Sequence, residues 1–246
     1  MGYHESLTEG RNAVLEAFRS GKTVDRLFVL DGCQDGPVKT ILREAKKQDT
    51  MVQYVKKERL DQLSETKNHQ GVIAYCAACE YAEVSDILEN AKKKGEAPFI
   101  VLLDGIEDPH NLGAIIRTAI QAGAHGVIIP KRRAVGLTAT VARTSAGAVN
   151  YTPVAKVTNL VTVMEDLKKE GMWFVCADMD GEEMYSLNLK GPIGLVIGNE
   201  GEGVSRLVKE HCDMVASIPM KGDIDSLNAS VAMGVLAYEI VRQRRF

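Results

Sequence analysis

Three short clusters carry the side chains that could do chemistry. In LDGIEDPHNLGAIIRTAIQAGAHGVIIP, an apolar run ends at Asp104, a polar loop follows, and Asn111 and Arg117 lie six residues apart, with Asn111 where a helix N-cap belongs. In GLVIGNEGEGVS, an apolar run enters a turn built of Gly198, Gly201 and Gly203 with Glu200 and Glu202 inside it. In SIPMKGDIDSLNASVAM, Ser226, Leu227 and Asn228 precede a helix start of small residues, Ala229, Ser230 and Ala232. Each polar residue also has a plain structural reading: Asn111 and Asn228 as caps, Arg117 as a solvated helix charge. The glycine turn lets a backbone approach a ligand closely, but its order is not G-x-G-x-x-G and its two carboxylates repel a pyrophosphate, which disfavours a dinucleotide. A ligand without phosphates and with a positive centre, such as S-adenosylmethionine, suits such a turn.

The elements that must hold these clusters follow from periodicity. FIVLLDG from Phe99, GVIIP at 126–130, WFVCA at 173–177, GLVIG at 194–198 and MVASIP at 214–219 are continuous apolar runs, as in strands buried on both faces of a parallel sheet. Helical stretches alternate with them near 112–122, 158–170 and 204–210, and a long helix closes the chain over 229–245, with Val231, Val235 and Tyr238 on one face. The first part is predicted as a small α/β domain: helix 11–20, strand 26–30, helix 37–48, strand 51–55, helix 57–65, strand 72–75. Between them lies a Glu/Lys/Ala-rich stretch with one helix ending in AKKKGEAP, where Gly95 and Pro98 give stop signals. The expected organisation is a domain over 1–77, a linker over 78–97 and a second α/β domain over 98–246.

Composition bounds the rest. The 246 residues, 45% hydrophobic and 26% charged with mean hydropathy −0.10, describe a soluble globular chain of two domains. No apolar stretch is long enough for a membrane helix, and MGYHESLTEG lacks the pattern of a signal peptide, so a cytoplasmic location is expected. Five cysteines at 33, 76, 79, 176 and 212 form neither a disulfide framework nor a zinc motif, since the Cys76/Cys79 pair has no second pair; no metal is expected. A net charge of −3 means that any nucleic-acid affinity must come from a local patch. The densest cationic run is Lys131, Arg132 and Arg133, which reads equally as a solvated face.

Taken together and in this order, the three clusters resemble the signature motifs of the SpoU (TrmH) class of the SPOUT methyltransferases. Asn111, Gly113 and Arg117 match the first motif, Gly198, Glu200 and Gly201 the second, and Ser226, Leu227, Asn228 and Ser230 the third. GRNAVLEAF at 10–18, NHQGVIAY at 68–75 and RTSAGAV at 143–149 are similar to segments of the 23S rRNA (guanosine-2′-O)-methyltransferase group.

The resemblance implies a C-terminal knotted α/β SPOUT domain, an N-terminal L30-like α/β substrate-binding domain, and a homodimer whose active site lies near the subunit interface. It implies S-adenosylmethionine as methyl donor, held by Gly198, Gly201, Ile218, Leu227 and Asn228, and as partner 23S rRNA or a large-subunit assembly particle. It makes Arg117 the functional arginine, with Asn111, Ser226 and Asn228 positioning the ribose, and Glu200 either orienting Arg117 or accepting a proton through water. Arg143 is expected near the RNA; Arg11, Lys22, His69 and Gln70 are further candidates for RNA contact. Methylation of tRNA, or a non-catalytic RNA-binding or ribosome-assembly role, are the alternatives.

Overall fold

Residues 6–222 and 226–246 are described in a computed structural model of the chain. They separate into two compact units, one of residues up to Glu80 together with Gly136–Thr140, the other of Tyr81–Val135 and Val141–Phe246.

In the first unit, short amphipathic segments each bury one face. Its elements are β1 (Ser6–Glu9), α1 (Arg11–Arg19), β2 (Val24–Leu30), α2 (Gly36–Lys47), β3 (Met51–Val55), α3 (Lys57–Leu63) and β4 (Val72–Cys76). The sheet order is β1-β4-β2-β3, with β2 and β3 parallel and β4 antiparallel to β1 and β2. Val14, Phe18, Leu27, Val38, Ile41 and Ala74 form the core beneath α1 and α2, and Phe28, Leu60 and Ile73 a smaller one on the other face. Asp35 caps α2 by accepting from Val38 N at 3.2 Å, with Pro37 in the first turn. Strand β1 escapes the sequence reading because SLTE has no apolar alternation. It is held by pairing with β4, and the Glu9 carboxylate that follows accepts from Glu65 N at 2.7 Å and Thr66 Oγ1 at 2.9 Å.

The second unit contains α4 (Val84–Lys94), β5 (Phe99–Asp104), α5 (Pro109–Gln121) and β6 (Gly126–Pro130), then α6 (Ala139–Thr144) from Val141 onward, β7 (Val154–Val157), α7 (Leu160–Lys169) and β8 (Trp173–Glu183). It ends with β9 (Ile193–Gly198), α8 (Arg206–Glu210), β10 (Met214–Ser217) and α9 (Ala229–Arg245). All five strand pairings are parallel, in the order β10-β8-β9-β5-β6-β7, and β5 and β9, two six-residue strands dominated by apolar side chains, sit side by side in the middle. Every residue of both strands is buried.

Small residues set the packing distance. A Cβ on Gly194 would stand 2.4 Å from the Phe174 ring, and one on Gly126 2.5 Å from Ile87. Ile87 and Ala91 belong to α4, so the helix read as part of a linker lies in the core of this unit, ended by Gly95 in the left-handed region as its sequence predicts. Arg244, near the end of α9, donates to the carbonyls of Ala97 and Pro98 at 3.1 and 3.0 Å and lies over the Phe99 ring, fixing the last helix to the start of β5.

Candidate active site

Asp104 and Gly198, the last residues of β5 and β9, are register partners, so the loops leaving the two central strands start side by side at the carboxyl edge of the sheet. In open α/β sheets that edge is where ligands bind. Asp104 Oδ2 accepts from Ser205 N at 2.8 Å, joining the end of β5 to the far side of the glycine turn. Asn199 joins the near side, donating from Nδ2 to Gly105 O at 2.9 Å and accepting at Oδ1 from Gly201 N at 2.8 Å. Asn199 and Gly203 also exchange backbone hydrogen bonds of 3.1 and 2.8 Å. A Cβ on Gly198 would lie 2.0 Å from the Gly203 carbonyl carbon, so the closure of this turn excludes any side chain there.

Helix α5 begins two residues before Asn111, at Pro109. Pro109 presets the first helical position and favours an extended residue before it, and Asp108 takes the cap, accepting at Oδ1 from His110 N at 2.9 Å. The cap expected at Asn111 is corrected accordingly: Asn111 stands in the first turn with its amide free for other partners. Gly113 lets α5 approach the segment after it, since a Cβ there would fall 1.9 Å from Thr144 Oγ1. Thr144 Oγ1 in turn donates to Pro109 O at 3.2 Å.

Those free amides converge on one carboxylate oxygen. Glu200 Oε1 accepts from Asn111 Nδ2 at 2.9 Å, from Asn228 Nδ2, and from Ala229 N at 3.3 Å. Asn228 Nδ2 also donates to Asn111 Oδ1 at 2.9 Å, while its Oδ1 caps α9 by accepting from Ser230 N at 3.0 Å. Asn228 is thus both the cap and a member of the cluster, and one residue from each of the three sequence clusters meets at Glu200. The carboxylate stands at the amino end of a 17-residue helix, where negative charge is favoured.

Arg117 lies two turns along α5, exposed, with no hydrogen bond or ion pair among the described residues. The expected pairing of Glu200 with Arg117 is absent; the asparagines take the carboxylate instead. Ser226 is exposed, and Ile218 and Leu227 are half-buried. Arg132 and Arg133 are exposed, whereas Lys131 is half-buried. Arg143 is exposed at the end of α6.

In the first unit Arg11 is committed internally, paired with Asp35 at 2.6 Å and donating from Nε to Gln70 O at 3.1 Å. His69 is buried, accepting from Gly71 N at 3.0 Å and donating to Asp61 at 3.0 Å. Lys22 is exposed.

The sequence reading missed Asp104, Asn199, Ser205 and Thr144, whose roles come from contacts up to 101 residues apart. A further cleft of about 330 Å³ opens at the same edge, lined by Asp104, Glu107, Arg133, Asn199, Glu202 and Ser205 among others. Among the described residues no group of three or more His, Cys, Asp or Glu is placed to hold a metal, and no helix is long and apolar enough to cross a membrane. All five cysteines are free thiols.

A parallel sheet carrying a hydrogen-bonded polar cluster at the carboxyl ends of its two central strands defines an α/β enzyme with its ligand site at that edge. Comparison with known proteins gives the family. Residues 98–238 match the model of the SpoU rRNA methylase family, and residues 7–82 that of the RNA 2′-O ribose methyltransferase substrate-binding domain. A Bacillus subtilis (strain 168) protein, YacO, named as a TrmH family tRNA/rRNA methyltransferase, is 49% identical over 237 residues, 96% of this chain and 94% of its own length.

Among solved structures, the SpoU methyltransferase AviRb of Streptomyces viridochromogenes, in complex with the cofactor AdoMet, matches with a TM-score of 0.61 at 27% identity, covering 97% of this chain and 90% of that one. An AdoMet-bound rRNA methyltransferase of Sinorhizobium meliloti matches with a TM-score of 0.60 at 25% identity, covering 96% and 86%. The chain belongs to the SpoU (TrmH) family of RNA methyltransferases, and its first unit is that family's substrate-binding domain.

Proposed function

We propose that this protein transfers a methyl group from S-adenosylmethionine to the 2′-hydroxyl of a guanosine in 23S rRNA, as a cytoplasmic homodimer. The observation that carries the reading is the convergence of Asn111, Asn228 and the start of α9 on Glu200 Oε1. It fixes three loops as one surface without using Arg117 or the second carboxylate oxygen.

The donor fits the residues present. The turn over 199–203 offers backbone groups and carboxylates rather than a phosphate cradle, which suits a sulfonium, and Ile218 and Leu227 are half-buried apolar residues suited to an adenosine. With Gly198, Gly201 and Asn228 they form the proposed donor site. The bound donor supplies an electrophilic methyl group.

The chain's own residues must then make a ribose hydroxyl nucleophilic. A guanidinium keeps its proton, so the unpaired Arg117 acts as a clamp on the adjacent phosphate and stabilises negative charge developing on the 2′-oxygen. Glu200 Oε2 has no partner among the described residues and receives the hydroxyl proton through a water, while Asn111, Asn228 and Ser226 orient the ribose. Arg132 and Arg143 bind phosphates; Arg11 organises its own domain through Asp35.

Incubation with radiolabelled S-adenosylmethionine and transcribed 23S rRNA, set beside total tRNA, tests the reading, with the site mapped by blocked alkaline cleavage. Label at one 2′-O-methylguanosine of the large-subunit RNA is the expected result. Label confined to tRNA, the other substrate in YacO's name, would keep the chemistry and replace the substrate.

A further inference from the structure

The cleft beside the Glu200 cluster has no occupant assigned to it by the reaction above. Three carboxylates and one guanidinium line it, yet Glu107, Glu202 and Arg133 have no hydrogen bond or ion pair among the described residues. Asp104 is 9% exposed; its Oδ2 is held by Ser205 N, and its Oδ1 has no partner among the described residues. That oxygen is not among the fully buried polar atoms left without a partner, so it keeps contact with solvent and is open to accept a hydrogen bond. The carboxylates do not gather as metal ligands do. The volume, about 330 Å³, is that of a small-molecule site.

We propose that this cleft receives the base of the target nucleotide and selects guanine. Enzymes that act on one nucleotide splay it from its neighbours and read the freed Watson–Crick edge. Guanine presents there two adjacent donors, N1–H and the 2-amino group, beside one acceptor, O6. An excess of carboxylate acceptors over a single guanidinium matches that edge: Asp104 and Glu202 accept from N1–H and the 2-amino group, and Arg133 donates to O6. Adenine offers one donor group and places an acceptor, N1, where the carboxylates need a hydrogen; the pyrimidine edges likewise present fewer donors. Glu202 lies two residues beyond Glu200, so the carboxylate that reads the base and the carboxylate that anchors the cluster would come from one turn.

The proposal rests on the reaction assigned above but is tested apart from it. Guanosine, inosine and adenosine 5′-monophosphates would be titrated into the full chain by calorimetry or ligand-observed NMR, and wild-type and variant enzymes assayed on 23S rRNA with the methylated nucleoside identified after digestion. The expected order is guanosine over inosine over adenosine, with about tenfold between first and last.

Glu202→Gln and Asp104→Asn should remove most of that preference while leaving S-adenosylhomocysteine affinity unchanged; the asparagine oxygen can still accept from Ser205 N. Arg133→Gln should weaken guanosine and inosine monophosphates alike. Equal affinities for the guanosine and adenosine nucleotides, or a preference that survives Glu202→Gln and Asp104→Asn, would overturn the assignment. A guanosine preference with no methylated RNA would uphold the cleft and count against the reaction. Formation of 2′-O-methylguanosine at wild-type kcat/KM by Glu202→Gln and Asp104→Asn would uphold the reaction and remove the cleft from it.

Discussion

In the proposed reaction Arg117 and Glu200 divide work that either could have done alone. The carboxylate's Oε1 accepts three hydrogen bonds from two loops and a helix end, so it organises the site, whereas the guanidinium stands free on α5. Arg117→Ala is therefore expected to lower turnover by about 10²–10³, the loss typical of one electrostatic stabiliser, and to leave donor affinity within a few fold. Single-turnover rates beside donor titration check this; a variant with most of its activity would refute the role.

A second residue-scale prediction concerns His125, which is fully buried and accepts from Phe99 N at Nδ1, 3.0 Å away, leaving its Nε2–H to donate to Glu96. Burial pushes its pKa below the usual 6.5, helped by Lys94 and Arg244 and opposed by Glu96. The folded chain then binds fewer protons than the unfolded one below about pH 6.5, so stability is complete above that pH and declines as the pH falls toward the depressed value. Melting temperatures between about pH 7.5 and 5.5 should fall more steeply for the wild type than for His125→Gln. Parallel curves would show that His125 does not carry the effect.

At the level of elements, the site depends on how closely one turn can fold. Gly198→Ala drives a methyl group into the Gly203 backbone, which no rotamer can relieve, and should cost about 1–3 kcal/mol together with a large loss of donor binding, read by melting and by titration. A variant binding the donor normally would mean that the turn can open without consequence.

Much of this level was legible in the sequence. The apolar runs at β5 and β9 marked buried central strands, and Gly95 and Asn228 marked helix ends. What was hidden depended on distant partners. Strand β7 is four residues long and is defined by its pairing with β6; α4 looked like a linker because its exposed face is rich in Lys and Glu, while Ile87 and Ala91 are buried and Val84 and Leu88 pack partly against the core. Asn111 reads as a cap, but Asp108, three residues earlier and followed by Pro109, competes for the same role, and only the helix itself decides between them. The convergence on Glu200 was invisible because hydrogen bonds spanning 89, 28 and 29 residues leave no local pattern.

For the molecule as a whole, the outer face of α9 is the feature without an internal explanation. Val231 and Tyr238 are 49% and 51% exposed on a helix whose other side packs under β9, and Val235 between them is half-buried. An apolar stripe of this kind on a helix marks a protein contact, here that of the proposed homodimer. Val231→Asp combined with Tyr238→Asp should shift the particle mass from dimer to monomer in sedimentation, with methylation lost in parallel. A wild type that already sediments as a monomer would dispose of the stripe as a dimer contact.

The strand order has a consequence for how the chain is made. Strand β9 occupies the centre between β5 and β8, yet it leaves the ribosome after both, roughly 90 residues behind β5 and so about 5–20 s later. For that interval the growing polypeptide holds a strand apolar from Phe99 to Leu103 with one side waiting for a neighbour not yet synthesised, and β5 and β8 must be kept from closing on each other. The newborn protein therefore passes through its most adhesive state just before completion, a vulnerability to aggregation that the finished sheet conceals.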